Sequence, residues 1–417
     1  MNKSSLTVPS LLGDLRLLVV LFVSFRLLLM MVYQPFFIDG VERGVSAGGD
    51  LYTYYGMAQL AAQVGAPYQG WWPEFPPVWP FLFNGVYQLL GANVNYTAFA
   101  MLLGLIMLGF DVGNLLLLRA LAADLYGANT GIALAWVYAL CLAPAVFLWW
   151  TFETLVIFTV LLALWLFAHL HGTRASVVIV FGTLTKFTPA LLLAATWRFR
   201  QVKHALRHTL LAMGIFVLVY IPLFSQNAPM TWASLSAQFS KASYQTVWAL
   251  IDGNLKTGSF GPLEDRLYPE RAAIALGNPP RVPGWLRLGV AGLIGLFIYA
   301  RTRRFDHKGF VAFATISLLI FFLQAQGWSP QWLAQIIPLV LLCFPTRNGV
   351  FAVVLLTTVA FAEYPFLFIR TGDTGGEISG ALLLPYVILI LARTALLIGL
   401  CIGLYRILRQ EAVGQGM

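Results

Sequence analysis

The chain has 417 residues; 59% fall in the apolar set AVILMFWYC and only 10% are charged, against roughly 45 to 50% and about 25% in ordinary soluble domains. A soluble enzyme, a disordered chain and a disulfide-rich secreted scaffold are thereby excluded. The formal charge of +9, from 26 Lys and Arg against 17 Asp and Glu, does not point to nucleic acid, because membrane proteins gather basic residues in cytoplasmic loops.

Apolar runs of about 20 residues each cross a bilayer, and the chain is read as a polytopic all-α bundle of eleven to thirteen helices forming one domain over residues 1–417. The first span is Leu15 to Val32. No small-residue cleavage site follows it, so it is read as a membrane helix and not a cleaved signal. A polar stretch follows from Gln34 to Phe75, then apolar runs Pro76 to Leu90 and Tyr96 to Leu118. Thr130 to His169 is interrupted by Pro144 and Glu153, and Ala175 to Trp197 by Lys186 and Pro189. The run Thr209 to Phe224 precedes a long loop, 225–283, and a helix ending at Ala300. Phe310 to Leu323, Gln331 to Phe344, Val350 to Ile369 and Ala381 to Leu404 complete the series.

Three basic clusters, at 198–207, 301–308 and 406–409, set the orientation: all are assigned to the cytoplasm, and helix parity agrees. The loops 34–75 and 225–283 then share the extracytoplasmic side. Cys141, Cys343 and Cys401 lie in apolar stretches without ligand spacing and are read as buried apolar groups. The sequon at Asn95 falls in a tight turn on the inner side and is read as chance. No internal repeat of the kind common in transporters is visible.

Ionisable residues inside spans cost about 2.5 to 3.5 kcal/mol each, which makes Asp111, Glu153 and Lys186 functional candidates by default. Mutual neutralisation across the bundle is the alternative, and it stays open here. Lys186 precedes Thr188-Pro189, where a proline frees backbone carbonyls, and a cation there suits an anionic headgroup. The first loop is acidic and aromatic: Asp50-Leu51-Tyr52, an uncharged stretch to Val64 fit for an interfacial helix, then Gly65-Ala66-Pro67-Tyr68 and Glu74-Phe75-Pro76-Pro77. Rings flanked by carboxylates suit carbohydrate, and an interfacial aromatic belt accounts for the same composition.

These first-loop elements, in this order, resemble the pattern of polyprenol-phosphate-dependent mannosyltransferases of the GT-C superfamily: an acid, tyrosines, Gly-x-Pro-Tyr, then Glu-Tyr-Pro-Pro. Ala143-Pro144 to Glu153 is similar to that family's Asn-Pro segment and following acid, with Ala for Asn and Glu for Asp. Thr185-Lys186-Phe187-Thr188-Pro189 resembles its Lys-x-x-Pro element, and Trp328-Ser329-Pro330-Gln331-Trp332 its Ser-Pro-Gln-Tyr helix start. Phe75 departs from the usual Tyr. The resemblance implies a GT-C fold with interfacial helices in the two long loops. It also implies a multi-pass membrane enzyme with an extracytoplasmic active site, moving a sugar from a polyprenyl-phosphate donor to a glycolipid or glycan acceptor; a plasma (inner) membrane is the default location, since nothing indicates an organelle. By the same resemblance the sugar is mannose before arabinofuranose or glucose, and the catalytic acid is Asp50.

Residue chemistry gives the roles. A hydroxyl attacking an anomeric carbon needs one base, and a phosphate leaves without protonation, so inversion needs no second carboxyl of the kind glycosidases carry. Asp50 is the expected base, Glu74 the reserve, with Asp39 and Glu42 behind it. Fixed cations are needed at the developing phosphate charge; Lys186, Lys256, Arg266 and Arg271 are the candidates. Tyr54, Tyr68, Trp328 and Gln331 are assigned to sugar or acceptor, with Gln326, Ser329 and Trp332 nearby. Ser243 to Leu250 suits a second interfacial helix roofing the site. Ser329 before Pro330 equally suits a helix cap. No metal or cofactor is implied: the first loop has no Asp-x-Asp, and His169-x-His171, the closest histidine pair, is read as a helix end near the headgroups. Two readings from other classes remain: a secondary transporter or lipid flippase using Asp111, Glu153 and Lys186, and a non-catalytic subunit of an envelope complex.

Overall fold

The computed structural model describes residues 7–32, 36–38, 41–43, 49–141, 151–258, 261–371 and 375–411. Asp39 and the Ala143-Pro144 element lie outside the described residues, and Glu42 is described in its main chain only. Among the described residues the fold is helical apart from one short antiparallel hairpin, Phe36–Ile38 with Val41–Arg43, which the apolar pattern did not announce.

The amino-terminal helices are α1 (Val8–Leu12), α2 (Leu15–Val32), α3 (Gly49–Val64), α4 (Val78–Leu90), α5 (Tyr96–Tyr126) and α6 (Ala128–Leu140). Those of the middle are α7 (Glu153–Ala168), α8 (Gly172–Thr183), α9 (Leu192–Phe199), α10 (Val202–Gln226), α11 (Ala228–Ser240) and α12 (Val247–Asp252). The carboxy-terminal helices are α13 (Gly284–Arg301), α14 (His307–Gln324), α15 (Leu333–Cys343), α16 (Arg347–Phe361), α17 (Phe368–Thr371) and α18 (Leu383–Arg409). Six helical stretches among the described residues are long and apolar enough to cross a membrane.

Helix ends follow local chemistry. Asn95 caps α5, Thr246 caps α12, Asp306 caps α14 and Thr346 caps α16, each side chain accepting from a first-turn amide. The Asn95 sequon is thus a cap. α5 runs on to Tyr126, past Arg119, because no breaker stands before Gly127. α10 begins at Val202, so Lys203 and Arg207 are helical and do not belong to a loop. The break read at Lys186 and Pro189 is real: α8 ends at Thr183, and the 3-10 turn Thr188–Leu191 leads into α9. Ser329 stands before the turn Pro330–Trp332, but its hydroxyl makes no capping bond.

α15 lies at the centre, buried along its whole length, with α5, α7, α14 and α16 against it. In lipid such contacts rest on close packing. At Gly113 of α5 an added Cβ would stand 2.5 Å from the Phe158 ring of α7, so glycine lets the two helices touch.

The bundle has two chemically distinct ends. At one, Arg198 donates to the carbonyls of Tyr299 and Thr302, the amides of Arg303 and Arg304 donate to Leu408 O, and Arg409 donates to Arg301 O, which gathers the three basic clusters. At the other, described residues of the two long segments, 34–75 and 225–283, pack on each other. Trp72 Nε1 donates to the carbonyls of Asp265 and Tyr268, and Asn227 Nδ2 to Gln69 O. α13 and α18 run from this second end to the first, about 27 and 40 Å at 1.5 Å per residue.

Candidate active site

A cavity of about 580 Å³ opens at the end where the two long segments meet. Its walls come from the start of α3 (Asp50, Tyr54), the Glu74–Pro76 turn, residues 151–153 opening α7, and the broken segment 186–188. The end of α11 (Gln238, Phe239), Lys241 and Tyr244, the start of α13 (Trp285, Arg287, Leu288), residues 324–327, and Ser329, Gln331 and Trp332 close it.

Asp50 is half-buried on this cavity, in the first turn of α3, where the helix dipole favours a carboxylate. Gln331 Nε2 donates to its Oδ2 at 3.4 Å. Tyr54, one turn on, packs edge-on against Phe75 and Trp79. Burial first, and the charge of Asp50 second, push the Tyr54 phenol well above its ordinary value, so it stays a hydrogen-bond donor at neutral pH.

Two carboxylates facing the cavity are already neutralised. Glu153 bonds to Lys186 on one oxygen and to Gln335 Nε2 on the other. Thr188 Oγ1 donates to Gln335 Oε1 at 3.0 Å, which fixes the amide, and Lys186 Nζ lies 4.6 Å from the Trp332 ring centroid. Glu74 is bonded by Lys241 on Oε1 and by Arg266 Nη2 on Oε2 at 2.9 Å. Burial alone would raise the Glu74 carboxyl; Lys241 and Arg266 outweigh it and hold the group below its usual range. An ion pair with both oxygens engaged is a poor proton acceptor.

Asp50, Glu74, Lys186, Tyr54 and Gln331 share the cavity. Tyr68, Trp328, Lys256 and Arg271 are not among its walls. Tyr68 is fully buried with positive φ, its hydroxyl donating to Phe75 O at 2.8 Å, so it locks the turn that presents Glu74. Trp328 is buried, donates to Glu363 Oε2 at 3.3 Å and lies under Arg393 at 4.5 Å. Lys256 takes a main-chain role, pairing with Glu377 and accepting from the Tyr386 hydroxyl. Arg271 is exposed beside Asp265 at 3.9 Å. Asp111 is fully buried at 2.5 Å from Arg26 and from the Tyr138 hydroxyl, away from the cavity. The neutralisation left open in the sequence thus holds for Glu153 with Lys186, while Asp111 finds its own cation on α2.

Among the polar wall residues, Gln238, Lys241 and Arg287 were not singled out by sequence, and Tyr244, read as part of a roofing helix over Ser243 to Leu250, stands before that helix, which begins only at Val247. Lys241 follows α11 without a motif, and only its approach to Glu74, 167 residues away, reveals it. Tyr244 is held by backbone pairing with Gly327, where an added side chain would collide with the Tyr244 ring.

No family model and no curated protein sequence matches the chain. Among solved structures, ArnT from Cupriavidus metallidurans in the apo state is similar over 94% of this chain and 76% of its own, with 12% identity and a TM-score of 0.49. The Archaeoglobus fulgidus oligosaccharyltransferase in the apo form is similar over 98% of this chain and 56% of its own, with 12% identity and a TM-score of 0.44.

Proposed function

We propose that the chain is a GT-C-type membrane glycosyltransferase that moves a sugar, mannose by the motif resemblance, from a polyprenyl-phosphate donor to a hydroxyl of a glycolipid or glycan. The observation that carries this reading is the composition of the cavity: Asp50 stands in it together with three cations and an apolar, outward-facing rim of Phe239, Trp285 and Leu288. A soluble-substrate site has no use for such a rim; a lipid-linked sugar needs all three parts.

In this reading the acceptor hydroxyl gives its proton to the Asp50 carboxylate as its oxygen bonds to the anomeric carbon. The bond from that carbon to the phosphate oxygen breaks, and the prenyl phosphate leaves with the electron pair, inverting the centre. Gln331 orients Asp50 through its amide. The buried Glu153–Lys186 and Glu74–Lys241 pairs give the departing phosphate a fixed polar surface in a site of low dielectric. Parity of the basic clusters supports an extracytoplasmic site, with 34–75 and 225–283 as the extracytoplasmic loops; the membrane in this reading is the plasma (inner) membrane.

The test is transfer itself. Membranes carrying the chain, given a labelled polyprenyl-phosphate sugar and an extracted acceptor, are expected to form product, and Asp50→Asn to abolish it with the protein still folded. Full transfer by Asp50→Asn removes the assigned base.

A further inference from the structure

Arg287 is a buried cation with no carboxylate in contact among the described residues; Asp252 acts on it only from a distance. Arg287 stands in the first turn of α13, 6% exposed, and among the described residues it forms no salt bridge. Its Nη2 donates weakly to Gln326 Oε1 at 3.4 Å, and its guanidinium lies 5.4 Å from the Trp248 ring centroid. Its Nε and Nη1 are buried with no hydrogen-bond partner. Buried donors of a charged group are rarely left unmet, and this one lines the cavity, where Lys186 and Lys241 already hold Glu153 and Glu74.

The surroundings specify what the guanidinium meets. Phe239, Trp285 and Leu288 line the cavity beside it, yet are 81%, 75% and 56% exposed. Beyond them the outer face of α13 stays apolar through Leu293 and Ile294, which are also exposed. A cation at the inner edge of an apolar rim that continues onto a membrane-spanning helix matches an amphiphile: an anionic head inside, a hydrocarbon tail along the rim. Gly284 opens the α13 amino terminus onto the same space, adding amide donors.

We infer that Arg287 anchors the phosphate of a prenyl-type lipid that enters from the bilayer between α11 and α13. Nε and Nη1 donate to the phosphate oxygens, and the tail leaves over Phe239, Trp285 and Leu288. On the transferase reading above, on which this naming of the lipid rests, the ligand is the sugar donor. A free phosphate would satisfy the guanidinium and leave the rim unexplained.

The experiment uses the full chain in lipid nanodiscs, with a polyprenyl phosphate, the matching polyprenol and inorganic phosphate as separate probes. Unsubstituted protein is expected to bind the prenyl phosphate at least about tenfold more tightly than the alcohol, as one or two charge-assisted hydrogen bonds dictate. Arg287→Gln removes that preference, while Arg287→Lys, which keeps the charge and loses the fork, retains part of it and controls for folding. Equal binding of lipid phosphate and alcohol, or an unchanged preference in Arg287→Gln, overturns the inference. Inorganic phosphate binding as tightly as the lipid, with the same dependence on Arg287, also overturns it in favour of a free-anion site. Arg287-dependent lipid binding without any sugar transfer leaves this anchor standing and sinks the transferase reading. Transfer with an unchanged donor KM in Arg287→Gln does the reverse.

Discussion

Glu74 and Arg266 meet across 192 residues of chain, the guanidinium Nη2 donating to the Glu74 carboxylate at 2.9 Å. The contact ties the two long segments together beneath the cavity, and Lys241 binds the other oxygen. Removing the anion from such a buried group leaves two cations uncompensated.

Glu74→Gln is therefore expected to cost stability, about 3 to 5 kcal/mol, read as a lower midpoint of thermal unfolding in detergent. The pH dependence has a definite sign. The folded-state pKa lies below the ordinary 4.5, so the contribution of Glu74 is fully present above pH 4.5 and is lost as pH falls through the lower folded value. The unsubstituted protein loses stability in that window, and Glu74→Gln lacks this part of the slope. A Glu74 variant that is inactive but as stable as the parent at pH 7 contradicts this account.

Asp50→Asn has the opposite profile. The side chain is half-buried on an open cavity, so the unfolding midpoint moves little. Transfer falls by about 10²- to 10⁴-fold, the usual contribution of a positioned base. Initial rates with a labelled donor, paired with a melting curve, separate the two effects.

Lys186 and Glu153 form a pair that is destabilising to break and tolerable to remove. Lys186→Met leaves Glu153 charged and buried, at about 3 to 5 kcal/mol. The double variant Lys186→Met with Glu153→Gln recovers a large part of that stability, and a double-mutant cycle in thermal unfolding gives the coupling. Additive effects would mean the two side chains do not act as one pair.

Arg393 bonds Glu363 and the carbonyl of Gln245 while covering the Trp328 ring. It clamps the paired backbones in which Tyr244 N donates to Gln326 O at 3.2 Å and Trp328 N to Tyr244 O at 3.1 Å. Arg393→Ala is expected to raise amide hydrogen exchange at Tyr244 and Trp328 well before global unfolding. Exchange unchanged at those two amides would show that the clamp is not what holds the cavity wall.

The helical class and its two-ended polarity were legible because they follow from apolar run length and the placement of Arg and Lys, both local properties. The place of Asp50 on the cavity was legible for a similar reason: the motif and the helix start coincide at one residue. Tyr68 and Trp328 belong to equally recognisable motifs yet serve as a turn lock and a buried packing post, since sequence order does not say which way a ring points. Lys241 and Arg287 were invisible for the converse reason. Neither sits in a motif, and their significance arises from partners, or a lack of partners, set by contacts scores of residues away.

α13 supplies Trp285, Arg287 and Leu288 to the cavity, yet only 11% of it is buried against the rest of the protein. The doorway therefore hangs on the most loosely attached beam of the frame, and the surrounding bilayer supplies its other doorpost. Solubilisation that strips the annular lipid will loosen that beam before it harms the core, so turnover will track membrane thickness and detergent choice while the melting temperature stays still.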